Sequence, residues 1–337
     1  MTRWILLATL LSACNAPEYT GPYDQPGPYT PGTMEGEASG TTGLTLPVTV
    51  WFPSNDGGHD LVTYGGLLDG NAYTDVSPAC DQPRPVLLFS HGYGGVRWQS
   101  PYLGEYLSTH GWIVAAPDHV GNTFSDASAS ASDLLSRRPQ DITDTYNWLI
   151  AQSVDPNGPL YGCLDPNDGY AVAGHSFGGY TAYVVGGAKV TDPTGASTLS
   201  YADPRVWAVV ALAPWDGAGA LTDGTADIAV PTMTLSGGQD TTTPWALVSG
   251  LATQIRSRPR YIGEFPTGGH FSFSPVACLI PATSGSNGCG DGFIDTDTFT
   301  SLVDTSVGSF LEQQRGVHKA IDDLPPESAD LTWQIDP

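Results

Sequence analysis

Three short segments of the chain carry residue types that together can perform acyl transfer. Gly174-His175-Ser176-Phe177-Gly178-Gly179 fits the pattern G-x-S-x-G, which seats a serine on a sharp strand-to-helix turn. Glycine is needed there because the turn crowds backbone against backbone and strains the serine dihedrals. Ser236-Gly237-Gly238-Gln239-Asp240 offers an acid, and Gly268-Gly269-His270-Phe271 offers a base. A serine hydroxyl is a weak nucleophile, so His270 would take its proton. Asp240 would fix the imidazole tautomer and stabilise the imidazolium. Taken singly, each segment is ordinary: a loop aspartate most often shapes a turn or caps a helix. What separates them from background is their order, Ser176, Asp240, His270, with each at the end of an apolar run.

A fourth segment, Phe89-Ser90-His91-Gly92-Tyr93-Gly94-Gly95, also follows an apolar run. It resembles the HG-type loop that supplies an oxyanion N–H. We assign that backbone N–H to Tyr93, and the other to Phe177, the residue after the nucleophile. Among the other candidates, His119 is the reserve base and Asp216 the reserve acid. His91 shapes the oxyanion loop, His175 points away from the reaction, and Asp118 is structural. Asp291, Asp295 and Asp297 lack the spacing of an EF-hand and read as a loop and helix start; no cofactor or metal is expected.

The elements that must hold these residues alternate. Apolar runs at Pro47–Pro53, Val86–Ser90, Trp112–Ala116, Tyr170–Gly174, Val206–Leu212, Thr232–Ser236 and Tyr261–Phe265 suit strands buried on both faces. Helix-like stretches lie at Pro101–His110, Asp141–Gln152, Gly178–Gly187, Pro244–Ser257 and Thr298–Gln314. This alternation predicts an α/β fold with a doubly wound, mostly parallel sheet and the site along its C-terminal strand ends. Only Ala213–Val230 separates two of the strands, too little for a large lid domain.

Composition narrows the partners. Thirty-five acidic residues against 12 basic give a net charge of −23, which disfavours nucleic acid and electrostatic docking on anionic lipid. Arg3 followed by the short apolar run Trp4–Leu11 reads as an export signal, too short to span a bilayer. Leu11-Ser12-Ala13-Cys14 resembles the lipobox of bacterial lipoproteins, which implies a signal at 1–13 and a lipid on Cys14. The expected localisation is therefore the outer membrane or cell surface, or secretion. Residues 14–43, rich in Pro, Gly and acid, read as a tether, 44–315 as the catalytic domain and 316–337 as a surface extension. Four further cysteines in an exported chain suggest two disulfides. Cys278 and Cys289 lie close together in a Gly/Ser loop and are paired, which leaves Cys80–Cys163.

From Val86 to His270 the chain resembles the α/β-hydrolases, in particular cutinase-like polyester hydrolases and platelet-activating-factor acetylhydrolases. HGYGG through APDH resembles both, and GHSFGG is especially similar to the acetylhydrolases. APWD, PTMTLSGGQD and GGH resemble the polyester hydrolases. The resemblance implies a serine esterase with Ser176, Asp240 and His270 as its triad. Tyr93 and Phe177 would form the oxyanion hole, and Tyr93 and Trp215 would flank the substrate. In the acetylhydrolases the acid follows an earlier strand, where this chain has Ala213, so Asp240 is favoured. Trp215 reads equally as core packing. The expected substrate is an ester, polymeric or lipid, met by a monomer whose contact with membrane is through the anchor alone. Two alternatives stay open: amide or peptide hydrolysis on the same triad, and a non-catalytic surface lipoprotein using the fold as a scaffold.

Overall fold

A computed structural model describes residues 21–191, 197–221, 223–280, 283 and 285–337, so the expected signal and Cys14 lie outside the described residues. Two hairpins come first, β1 (Thr30–Ser39) with β2 (Thr45–Ser54) and β3 (Leu61–Tyr64) with β4 (Leu68–Tyr73). The alternating part follows: β5 (Val86–Ser90), α1 (Pro101–Thr109), β6 (Ile113–Pro117), α2 (Ala131–Val154), β7 (Tyr170–His175) and α3 (Phe177–Val185). A small ribbon of β8 (Lys189–Thr191) and β9 (Thr198–Ser200) precedes β10 (Val206–Leu212), β11 (Thr232–Gly237), α4 (Trp245–Gln254) and β12 (Arg260–Phe265). The chain closes with α5 (Pro275–Cys278), α6 (Thr296–Gln314) and β13 (Thr332–Asp336).

Eleven strands form one sheet in the order β13-β12-β11-β10-β7-β5-β6-β2-β1-β4-β3. From β6 to β12 all neighbours are parallel. β2 meets β6 antiparallel, and β13 meets β12 antiparallel. Successive side chains of a strand point to opposite faces, and here both faces are apolar. Val86 and Leu88 of β5 join one core with α2, α3 and α4, while Leu87 and Phe89 join a second with α1 and α6. Burial on both faces is why these strands read as unbroken apolar runs. The expected class holds: an α/β, doubly wound, mostly parallel sheet. Between Leu212 and Thr232 the described residues form turns and one 3₁₀ turn, Gly224–Asp227, with no large lid.

Three boundaries differ from expectation. The tether proposed for 14–43 is structured over much of its length: β1 pairs with β2 along ten residues, and Tyr23 is fully buried. Its Pro and Gly content obscured a strand whose Gly32 and Gly36 sit against the rings of Phe52 and Trp148, where a Cβ would clash at 2.2 and 2.5 Å. The tail from 316 contributes β13, a true sheet edge strand rather than a surface wrap. Helix α2 begins ten residues earlier than the expected Asp141, with Ser130 as N-cap and Pro139 inside it. Proline removes the N–H that the Leu135 carbonyl would receive, and the Tyr180 hydroxyl donates to that carbonyl instead, at 3.2 Å.

Candidate active site

The end of β7 turns into α3 at Ser176, which adopts φ 57°, ψ −115°. A non-glycine residue there stores strain of about 1–3 kcal/mol and persists only if its surroundings hold it. Three backbone hydrogen bonds do so. The Ser176 N–H donates to Leu212 O at 2.9 Å, and its carbonyl accepts from Trp215 N at 2.9 Å and Tyr180 N at 3.1 Å. The glycines around it are steric necessities. A Cβ on Gly178 would lie 1.8 Å from the Ser90 carbonyl oxygen, and one on Gly174 would lie 2.2 Å from that of Gly178.

Beyond β11 and β12, two turns bring the acid and the base together. The Asp240 Oδ2 accepts from His270 Nδ1 at 2.7 Å and from the Thr243 hydroxyl at 2.8 Å. Its Oδ1 accepts from Thr242 N at 2.7 Å and Thr243 N at 2.8 Å. The carboxylate is thus held from four directions. Because it can only accept, His270 carries its proton on Nδ1 and keeps a lone pair on Nε2. Ser176 and His270 line the same cleft, of about 960 Å³. Its walls are largely apolar, with Leu67, Trp98 and Phe124 contributing from the N-terminal half and Val276, Leu279 and Ile280 from α5 and the residues after it.

Phe177 is the first residue of α3, so its N–H has no partner within the helix. The Gly92 N–H is taken by Gln99 Oε1 at 2.9 Å, and the next residue in the loop, Tyr93, lines the cleft. The Tyr93 ring is exposed and stacks on Phe177 at 6.4 Å. Gln99 also donates through Nε2 to His175 Nδ1 at 3.0 Å, and His175 Nε2 donates to the His270 carbonyl at 3.0 Å. His175 therefore does not point away from the site. It ties the oxyanion loop, through Gln99, to the backbone of the base, and burial pushes its pKa well below the ordinary imidazole range.

Trp215 is half-buried, and its ring is engaged edge-on by Phe177 at 4.8 Å and lies 6.1 Å from Tyr180. Its backbone also meets the serine turn, through the bond to Ser176 O. Asp216 sits in the turn after β10, where its carbonyl accepts from Leu221 N at 3.0 Å, while Asp240 is the acid bonded to His270. Both expected disulfides, Cys80–Cys163 and Cys278–Cys289, are bonded. Asp295 caps α6 by accepting from Thr298 N, and no three metal-binding side chains converge among the described residues.

His119, the reserve base, belongs to a second array of Ser, His and Asp. Its Nε2 meets Ser90 Oγ at 2.9 Å and its Nδ1 meets Asp141 Oδ2 at 2.8 Å. This array is sealed: Ser90, His119 and Asp141 have no exposed surface. It works as a platform. The buried Arg138 donates to Ser90 Oγ, to Asn122 Oδ1 and to the His91 carbonyl, and its guanidinium lies 4.5 Å over the Phe177 ring. Burial lowers Arg138 to about 9 and raises Asp141 to about 7. The same desolvation holds His91 and His119 well below the usual histidine range. Sequence reasoning missed Arg138, Thr243 and Gln99, since an arginine, a threonine and a glutamine are ordinarily surface residues.

The sheet order, with Ser176 on a strained strand-to-helix turn, gives the chain a fold of the α/β-hydrolase type. In structure the chain is similar to a ferulic acid esterase from Streptomyces cinnamoneus, with a TM-score of 0.67 at 20% identity, over 91% of this chain and 96% of that one. In sequence, residues 67–158 match the family model for platelet-activating factor acetylhydrolase, isoform II. The platelet-activating factor acetylhydrolase of Cavia porcellus is 29% identical over 168 residues, covering 39% of this chain and 35% of that protein. That of Canis lupus familiaris is 26% identical over 137 residues, covering 29% and 30%. The chain thus spans about a third of the length of the curated relatives it matches. The chain is thus similar in fold to an esterase and, over part of its length, in sequence to platelet-activating factor acetylhydrolases.

Proposed function

We propose that the protein hydrolyses carboxylic esters through an acyl-enzyme on Ser176. The observation that carries this reading is the Asp240–His270 pair at 2.7 Å, opening on the same cleft as a serine held at φ 57°. His270 Nε2 takes the hydroxyl proton as Ser176 Oγ attacks the ester carbonyl. The oxyanion of the tetrahedral intermediate is met by the N–H groups of Tyr93 and Phe177, at the positive end of α3. The imidazolium, steadied by Asp240, protonates the leaving alcohol. A water activated by the same histidine then releases the acid and regenerates the serine.

The apolar walls of the cleft favour esters with a bulky apolar part, lipid or polymeric, over small polar ones. The −23 charge favours uncharged or zwitterionic esters over polyanionic ones. The lipobox-like Leu11–Cys14 supports export and anchoring at a cell surface. Among the described residues no helix is long and apolar enough to cross a membrane. A p-nitrophenyl ester series from acetate to palmitate, run beside Ser176→Ala, tests the reading. Turnover by the wild type, with the variant slower by at least about 10³-fold, is expected. Equal rates for the two proteins on every ester would refute it.

A further inference from the structure

Asp240 and His270 come from different turns, so their registration needs something that holds both. The loop closed by Cys278–Cys289 carries Asn287 between them. Asn287 Oδ1 accepts from Thr241 N at 3.0 Å, next to Asp240, and from His270 N at 3.2 Å. Its Nδ2 donates to Thr242 Oγ1 at 2.8 Å, and its carbonyl accepts from Phe271 N at 2.8 Å. One residue thus bonds the backbone on both sides of the acid–base pair. Asn287 makes these contacts with side chain and carbonyl at φ 49°, a conformation that asparagine tolerates better than most residues.

Asn287 and Gly288 fit against the His270 turn without slack. A Cβ on Gly269 would fall 2.3 Å from both the Asn287 carbonyl carbon and the Gly288 nitrogen. A Cβ on Gly288 would fall 2.5 Å from Ser272 N. The bridge follows two residues after Asn287, and Cys289 is buried. We propose that Asn287, held in place by the Cys278–Cys289 bridge, is a positioning residue that fixes the Asp240 turn against His270. It touches neither the cleft nor the reacting atoms, and acts through the two backbone segments it joins. The proposal rests on the serine-hydrolase reading above.

The test measures kcat and KM on p-nitrophenyl acetate, normalised to reactive sites by titration with a fluorophosphonate. Asn287→Gly keeps the positive φ without strain and removes only the side chain. It is expected to lower kcat by roughly 10- to 100-fold, as small misplacements of catalytic groups do, with KM within about threefold. Asn287→Asp keeps the Oδ1 acceptor, and the Thr242 hydroxyl can turn to donate to it, so kcat should return to within about threefold of wild type. Cys278→Ala/Cys289→Ala should lower kcat similarly, and adding Asn287→Gly to it should cost less than about twofold more, because the two changes disable one device. Wild-type kcat in Asn287→Gly, equal impairment of the Gly and Asp variants, or independent additive losses would each overturn the proposal while Ser176→Ala stays inactive. A wild type no faster than Ser176→Ala would instead remove the serine-hydrolase reading on which it rests.

Discussion

The proposed triad of Ser176, Asp240 and His270 could be picked out of the sequence because acyl transfer fixes the residue types and their order along the chain follows the strand ends. Their supports were not legible, because Thr243, Gln99 and Asn287 reach the site from positions that only the tertiary structure brings near. His175 shows the difference most clearly. Its place inside the elbow motif says nothing of the two hydrogen bonds, to Gln99 and the His270 carbonyl, that make it a strut. Burial depresses its pKa well below that of an unfolded histidine, near 6.5. Below that pH the unfolded chain takes up a proton that the folded protein refuses. The stability tied to neutral His175 is therefore present above pH 6.5 and lost as pH falls. In urea melts, the destabilisation caused by His175→Gln should be smaller at pH 5.5 than at pH 7.5, by about 1 kcal/mol. A difference independent of pH would show that His175 takes up its proton in the folded state as readily as in the unfolded one.

At the scale of elements, the buried strands were readable since burial on two faces leaves a continuous apolar run. Helix α2 was readable only in its second half. Pro139 looks like a helix breaker, and the hydroxyl that compensates for it comes from Tyr180, 41 positions away along the chain. The short strands β3, β4, β8 and β9 carry little apolar periodicity because their side chains are largely exposed. The contact of α3 with the end of β5 sets the spacing between Ser176 and the loop that holds Gly92 and Tyr93. Gly178 permits it, with the Ser90 carbonyl where a Cβ would go. Both contacting groups are backbone, so no side chain can yield. Gly178→Ala should therefore cost at least about 3 kcal/mol, beyond ordinary overpacking, and abolish turnover in whatever protein remains folded. An alanine variant with wild-type melting and activity would mean that the two segments are not in contact.

For the whole molecule, the N-terminal boundary is where sequence composition misled. Pro, Gly and acidic residues suggested a solvated tether, yet β1 lies inside the sheet between β2 and β4. Tyr23, ahead of it, is buried, and its carbonyl accepts from the Tyr106 hydroxyl. A chain trimmed to residues 21–337 keeps β1 and should melt well above one that lacks it. One trimmed to 41–337 would bare the edge of β2 and should be strongly destabilised or aggregate. Equal melting of the two would show that β1 is dispensable. On the proposed reading, the architecture serves one arrangement: a strained serine, a fixed histidine and two backbone donors at the C-terminal edge of a parallel sheet. Its most direct test is the intact mass of the protein after treatment with a fluorophosphonate, followed by peptide mapping. The account predicts a single adduct on Ser176, absent in Ser176→Ala and formed at least about 100-fold more slowly in His270→Ala. An unmodified wild type, or an adduct on any residue other than Ser176, would contradict it.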